Sequence, residues 1–288
     1  MSPDFQHMNH NISSNWIVGQ RYSNKELDVY PRRAIGTGPR SGLTNQFFFP
    51  GEYLEYICAG HNQGFRISVH NPGEVPRTSD QYFRVSWNQE VTATVVPTMI
   101  ETAESLRNYP PDIRQCFFNQ ERSLSFFKTY TQKNCELECL TNFTLNRCSC
   151  VKFSMPRHLD TKICNRLDIE CYNQAENDFM GADLELRLSN SMDKPELCNC
   201  LPSCTSISYG TDIFQNSHDY QIYLYERYYL ADRSHRTDFS LLNIYFKEMQ
   251  FTTITRSELY GVIDFISSCG GLMGKFNLTR QNKNRVKQ

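Results

Sequence analysis

Twelve of the 288 residues are cysteines, and ten of them fall in one stretch: Cys116, Cys135, Cys139, Cys148, Cys150, Cys164, Cys171, Cys198, Cys200 and Cys204. Thiols at this density have two chemistries open to them, metal ligation as thiolates or oxidation to disulfides. The stretch exceeds the ~8–10% cysteine that marks a disulfide scaffold. Its spacing is mirrored, with C-x3-C and C-x-C on the way in and C-x-C and C-x3-C on the way out. Zinc is the weaker reading. C-x-C sends successive side chains to opposite sides of an extended backbone, the C-x2-C of zinc knuckles is absent, and His158 is the single histidine in the stretch. A disulfide ladder formed in an oxidising compartment accounts for all ten residues together. Three tripeptides, at Asn11, Asn142 and Asn277, match the N-glycosylation acceptor pattern, and Asn142 lies inside the cysteine stretch.

Composition narrows the function classes. A net charge of −1 lacks the basic footprint of a nucleic-acid binder, and 13% aromatic residues supply more apolar bulk than disordered chains carry. No phosphate loop or Gly-x-Ser-x-Gly appears, and the histidines are scattered, so the sequence offers no catalytic constellation, no cofactor motif and no metal site. Met1 to Asn15 is polar, without the form of a secretory signal. The longest apolar stretch, Val262 to Gly274, is interrupted by Asp264 and falls short of the ~20 residues that cross a bilayer.

The elements that must position the cysteines are legible in part. Residues 1 to 57 read as loop, with Pro31, Gly36, Gly38, Pro39 and Gly42 as turn markers. Phe65, Ile67 and Val69, then Val91, Ala93 and Val95, alternate with polar residues as half-buried strands do, and residues 71 to 76 between them read as a turn. A helix is expected from an Asn119 cap through Leu124, Phe127 and Tyr130, with Glu121 in its first turn. A second is expected from Asn173, with Glu176 in capping-box position and Phe179, Ala182 and Leu186 on one face. The tyrosines from Tyr220 to Tyr229 suit core or subunit packing, and Leu242, Ile244 and Phe246 open a strand expected to run on to Thr253.

These motifs, in this order, resemble the degenerin and epithelial sodium channel family (DEG/ENaC), and within it the insect pickpocket branch. Gly64-Phe-Arg-Ile-Ser-Val-His-Asn-Pro-Gly-Glu-Val-Pro76 is similar to its palm strand and turn. Residues 116–124, 130–139 and 148–156 are similar to its thumb, Cys198-Asn-Cys-Leu-Pro-Ser-Cys204 to the thumb's closing strand, and residues 264–274 to the start of its second transmembrane helix. The resemblance covers about residues 16 to 274.

It implies an α+β fold: a β-rich palm and ball core with a disulfide-laddered helical thumb and a helical knuckle. Residues 1–110 would be ball and palm strands, 111–205 the thumb, 206–257 the knuckle helix and a palm strand, 258–274 the start of the pore helix, and 275–288 a divergent basic tail. The family's ladder, carried over, pairs Cys116 with Cys204, Cys135 with Cys200, Cys139 with Cys198, Cys148 with Cys171 and Cys150 with Cys164. It leaves Cys58 and Cys269 unpaired. Ser267 falls at the family's gating position, beside Gly270, Gly271 and Gly274. The implied role is a subunit of a trimeric, voltage-independent, amiloride-sensitive sodium channel in the plasma membrane. Its partners would be sodium ions, other family subunits and the membrane, and not nucleic acid. Where the family continues into a pore helix and filter, this sequence has Lys275-Phe-Asn-Leu-Thr-Arg-Gln, so the chain is expected to be an ectodomain with a stub of pore helix.

Two other readings are open. A cysteine-rich surface or secreted module could bind full-length subunits and silence them. Glu136, Glu138, Asp183 and Glu185 could raise one another's pKa as proton sensors, against the simpler view that they form a solvated helix face.

Overall fold

The stretch Val91-Thr-Ala-Thr-Val-Val96 is dominated by β-branched side chains, which favour a strand packed on both sides. In the computed structural model that stretch is the middle of the sheet. The structure describes residues 34–50, 63–189, 198–217, 237–259 and 265–270, together with Asp219, Ile222 and Glu226. In chain order the elements are β1 (Leu43–Pro50), β2 (Phe65–Ile67), β3 (Phe83–Val85), β4 (Gln89–Thr102), α1 (Gln132–Cys148), α2 (Ile169–Ser189), β5 (Ser206–Ser217), β6 (Thr237–Phe246) and β7 (Thr252–Arg256). The fold is α+β, as the resemblance implies.

The main sheet has the order β1-β6-β4-β5, with β7 also on β4. β1 pairs antiparallel with β6, β4 antiparallel with β5, and β6 and β7 both run parallel to β4. The hairpin β2–β3 forms a second, two-stranded sheet laid over one face of the first. Between the layers lies the core of Phe83, Val85, Val91, Ala93 and Leu242, flanked by Phe47, Phe65, Ile67 and Ile244. Val85, Val91 and Ala93 are at 0% exposure, so the period-two alternation points inward as expected.

Two expectations need correction here. Residues 43–50, read as loop, are a strand: Thr44 to Phe48 takes its partner from β6, almost 200 residues away, and nothing local announces that pairing. The strand expected from Leu242 to Thr253 is instead two strands, β6 and β7, separated by bends at residues 247–250. Pro97 supplies the reason. The odd-numbered residues of β4 face this side, since Val95 O accepts from Lys247 N and Ala103 N donates to Arg256 O. Pro97 has no amide to offer there, so the ladder stops after Val95↔Phe246 and resumes at Thr98↔Thr252 with extra residues looped out of the partner. Where the knuckle helix is expected, Ile222 and Glu226 are described, both helical, and the tyrosine cluster lies outside the described residues.

Two glycines make opposite demands. Gly64 enters β2 at φ +120°, and a Cβ there would stand 2.3 Å from the carbonyl oxygen of Val85. Gly181, within α2, has open space around it. Gly64→Ala is therefore expected to destabilise the chain by about 1–3 kcal/mol. Gly181→Ala should stabilise it by about 0.5–1 kcal/mol. Urea unfolding under non-reducing conditions checks both signs.

Candidate functional site

Five disulfides tie the helical region together. Cys116–Cys204, Cys135–Cys200, Cys139–Cys198, Cys148–Cys171 and Cys150–Cys164 have Cα separations of 5.0, 5.7, 6.2, 6.0 and 5.0 Å. The first three are nested, the second and third of them anchored on α1, and the last two close the far end. Hydrogen bonds accompany the outermost and innermost bridges: Phe117 N donates to Pro202 O and Cys204 N to Phe117 O, while Val151 N donates to Lys162 O and Cys164 N to Val151 O. Cys116 and Cys204 are at 0% exposure and pack on Phe118. Thr102 Oγ1, at the end of β4, donates to Cys204 O at 2.9 Å, so the base of the ladder is fastened to the central strand. The sulfurs of Cys150 and Cys164 lie near Asp168, but sulfur bonded to sulfur is no thiolate and does not ligate a metal. Cys269 carries a free thiol, and Cys58 lies outside the described residues.

The helix expected from Asn119 to Tyr130 is not formed. Residues 119–131 are turns and bends, Gln120 sits at φ 74°, and α1 starts at Gln132 with Thr131 Oγ1 accepting from Asn134 N at 3.2 Å. The reason is competition for backbone amides. Glu121 Oε2 accepts from Phe118 N at 2.7 Å and pairs with Arg114, while Glu138, reaching back from α1, accepts from Ser125 N and Phe126 N at 3.0 Å each. The Glu138 carboxylate, on the next helix, holds the N–H groups of Ser125 and Phe126, which a local helix would otherwise have used.

Arg114 is the centre of this junction. Its side chain is 1% exposed. Nε donates to Cys116 O at 2.9 Å, Nη1 to Tyr109 O at 2.6 Å and Arg107 O at 3.3 Å, and Nη2 to Glu121. The guanidinium stacks on Phe118, with Arg107 also over that ring at 4.2 Å. A buried charge is tolerated when its donors are satisfied and its charge is matched, and both conditions hold here.

The N-terminal end of α1 also grips the hairpin. Asn134, 1% exposed, accepts from Val75 N at 3.3 Å and donates to Gly73 O at 2.7 Å, and Lys133 pairs with Glu74 at 3.3 Å. The turn at 71–74 is closed by Asn71, whose Oδ1 and O accept from Gly73 N and Glu74 N. A cavity of about 250 Å³ lies where this turn, the start of α1 and the start of β5 meet, lined by His70, Glu74, Lys133 and Tyr130 among others. Tyr130 is buried, donates to Leu201 O at 2.5 Å, and that burial pushes its phenol up to about 12.

α2 starts four residues before the expected Asn173. A turn at Arg166–Asp168 leads into it, with Asn165 Oδ1 accepting from Leu167 N and Asp168 Oδ2 from Asn165 N. Phe179 does face α1, meeting Phe143 edge-on at 5.6 Å, and Arg147–Asp178 and Lys152–Glu176 cross the same gap. Glu136 and Glu138, taken together as a solvated face or a proton-sensing pair, have different surroundings. Glu138 is spent on the 125–126 backbone and Glu136 lines a second cavity with Lys133, while the side chains of Asp183 and Glu185 lie outside the described residues. Asn142, of the acceptor tripeptide inside the cysteine stretch, is on α1 with its side chain exposed. Residues 265–270 are helical with Ser267 and Gly270 exposed, and Gly271 and Gly274 lie outside the described residues. Among the described residues no helix is long and apolar enough to cross a membrane.

This combination of a β-sheet and a helix pair stapled by nested bridges coincides with a family profile. The profile of the amiloride-sensitive sodium channel matches residues 8–276. The chain belongs to the amiloride-sensitive sodium channel family. Pickpocket protein 28 of Drosophila melanogaster is 30% identical over 91% of this chain and 43% of its own length. Acid-sensing ion channel 4-B of Danio rerio is 25% identical over 90% of the chain and 44% of its own. Sodium channel protein Nach of Drosophila melanogaster is 21% identical over 87% and 44%. The chain thus spans less than half the length of these relatives.

Two outcomes follow for this member of the family. In a nested ladder each bridge closes only the short ring between itself and the next. Cys139–Cys198 is separated from Cys135–Cys200 by four residues on one strand and two on the other, whereas Cys116–Cys204 stands nineteen and four residues from it. Replacing Cys116 and Cys204 by serine should therefore cost roughly 1 kcal/mol more than replacing Cys139 and Cys198, from ring size alone. Non-reducing peptide mapping and urea midpoints of the two double variants check the pairing and the order. Tyr130 gives a pH dependence. Its folded pKa lies above the ordinary value near 10, so the folded state keeps the proton longer, and its contribution is present below pH ~10 and lost as pH rises toward 12. The stability gap between wild type and Tyr130→Phe, about 0.5–1.5 kcal/mol at pH 8, is expected to narrow above pH ~10 in paired urea titrations.

Proposed function

We propose that this chain is extracellular structure of a sodium channel subunit, voltage-independent and blocked by amiloride, that works in the plasma membrane as a trimer with other family subunits. In this reading residues 1–110 are ball and palm, 111–205 the thumb, 206–257 the knuckle and a palm strand, and 258–274 the start of the pore helix. Sodium ions are its cargo, and it is not an enzyme. Support comes from the family profile across residues 8–276, and from relatives whose names are those of pickpocket, acid-sensing and sodium channel proteins.

The observation that carries the mechanism is a tie at the end of the sheet. Ala103 N donates to Arg256 O at 2.8 Å, so the end of β7 is bonded to the residue that opens the Glu104–Arg114 segment. That segment is the platform under Arg114 and the outermost bridge. β7 then leads to helical residues 265–270, with Ser267 at the gating position. A displacement of α1 and α2 thus has a short route to the end of β7: through Cys116–Cys204 and Arg114 to residue 103, and across one hydrogen bond to Arg256.

Whole-cell recording from cells expressing the complete gene product tests the reading. The expected result is an amiloride-blocked sodium current with no voltage gating. Arg114→Lys keeps the charge but loses the fork that reaches several carbonyls and Glu121 together. It should lower the evoked current several-fold with the amount at the cell surface preserved, and an unchanged current would remove Arg114 from the coupling route. If the surface-expressed protein carries no current and suppresses that of a co-expressed relative, the silencing reading stands instead.

A further inference from the structure

The tripeptide Asn142-Phe-Thr144 lies entirely within α1. Successive residues of a helix turn by ~100°, so side chains two apart point to nearly opposite sides. Asn142 accordingly faces solvent, beside exposed Asn146, while Thr144 is at 0% exposure. The Thr144 hydroxyl finds no hydrogen-bond partner there, in contrast to Thr141, whose hydroxyl donates to Leu137 O at 2.7 Å. A buried hydroxyl without a partner is destabilising, and valine has the same shape without it. The folded helix therefore has no use for the oxygen of Thr144. In an extended chain, by contrast, residues two apart stand on the same face, and the Asn142 amide and Thr144 hydroxyl come together.

We propose that Asn142 is an N-glycosylation site that is filled before α1 forms and before the bridges of Cys139 and Cys148 close on either side of it. The donor is a lipid pyrophosphate-linked oligosaccharide. A bond forms between Asn142 Nδ2 and C1 of the first sugar, the C1–O bond to the pyrophosphate breaks, the lipid pyrophosphate leaves with the electron pair, and an amide proton passes to a base of the transferase. Once α1 has folded, a transferase cannot reach the Thr144 hydroxyl. The bridges Cys139–Cys198 and Cys148–Cys171 then hold the helix closed. The attached glycan stands clear of α2, which is met through Phe143 and Arg147 instead. The proposal rests on the extracellular reading of the chain, because the transfer takes place where disulfides form.

The test uses the full chain made without glycans, purified in its oxidised form, and incubated with purified oligosaccharyltransferase and lipid-linked donor, either native or after reduction and unfolding. Peptide mass spectrometry should find at least tenfold more modification at Asn142 in the reduced sample. Thr144→Ser should preserve that modification. Thr144→Val should abolish it and leave the urea midpoint of the folded chain unchanged or higher. Equal modification of the native chain, no modification of the reduced chain, or a lower midpoint for Thr144→Val would each overturn the proposal. None of these readouts depends on ion conduction, so failure here and failure of the channel reading are separately visible.

Discussion

The covalent closure of Cys116 onto Cys204 is the constraint from which the rest of the helical region follows. The bridge lies at 0% exposure, is flanked by backbone hydrogen bonds between residues 117 and 202–204, and is fastened to β4 through Thr102. The chain leaves the central strand and must return to its neighbour β5 through a neck only two segments wide. Everything between is an excursion whose ends are fixed. Without the ladder that this bridge heads, closing an 88-residue excursion would carry a large entropic cost that its small core of Leu137, Leu140, Val151 and Met155 would have to meet alone.

Around that neck the protein replaces hydrophobic burial with satisfied charge. Arg114 is buried yet bonded to three carbonyls and Glu121, with aromatic cover from Phe118. Glu121 and Glu138 then hold the irregular segment that crosses between them. Such an arrangement is directional, unlike an apolar contact, so it fixes the angle at which the helix pair leaves the sheet. On the proposed channel reading, a fixed angle would allow motion of the helices to become motion of the strand ends.

The sheet contributes a second kind of directness. β6 and β7 share one edge of β4, interrupted where Pro97 withholds its amide, and β7 ends bonded to Ala103. The last strand before residues 265–270 is therefore tied to the same few residues that carry the helix pair.

What the sequence determined by itself was whatever depends on neighbours along the chain. The alternation at Val91 and Ala93, the turn at Asn71 and the crowding and mirrored spacing of the cysteines all report local or compositional physics, and the family resemblance rests on their order. The disulfide pairing came with that resemblance, because spacing alone leaves many pairings of ten cysteines equivalent. Only the tertiary structure decided the outcomes that turn on distant partners: β1 became a strand through β6, residues 119–131 lost a helix to Glu138, and a strand legible from Leu242 to Thr253 split opposite Pro97. In each case a backbone amide was given a partner, or denied one, by a residue far away in sequence, and a local pattern carries no record of where such a residue will stand.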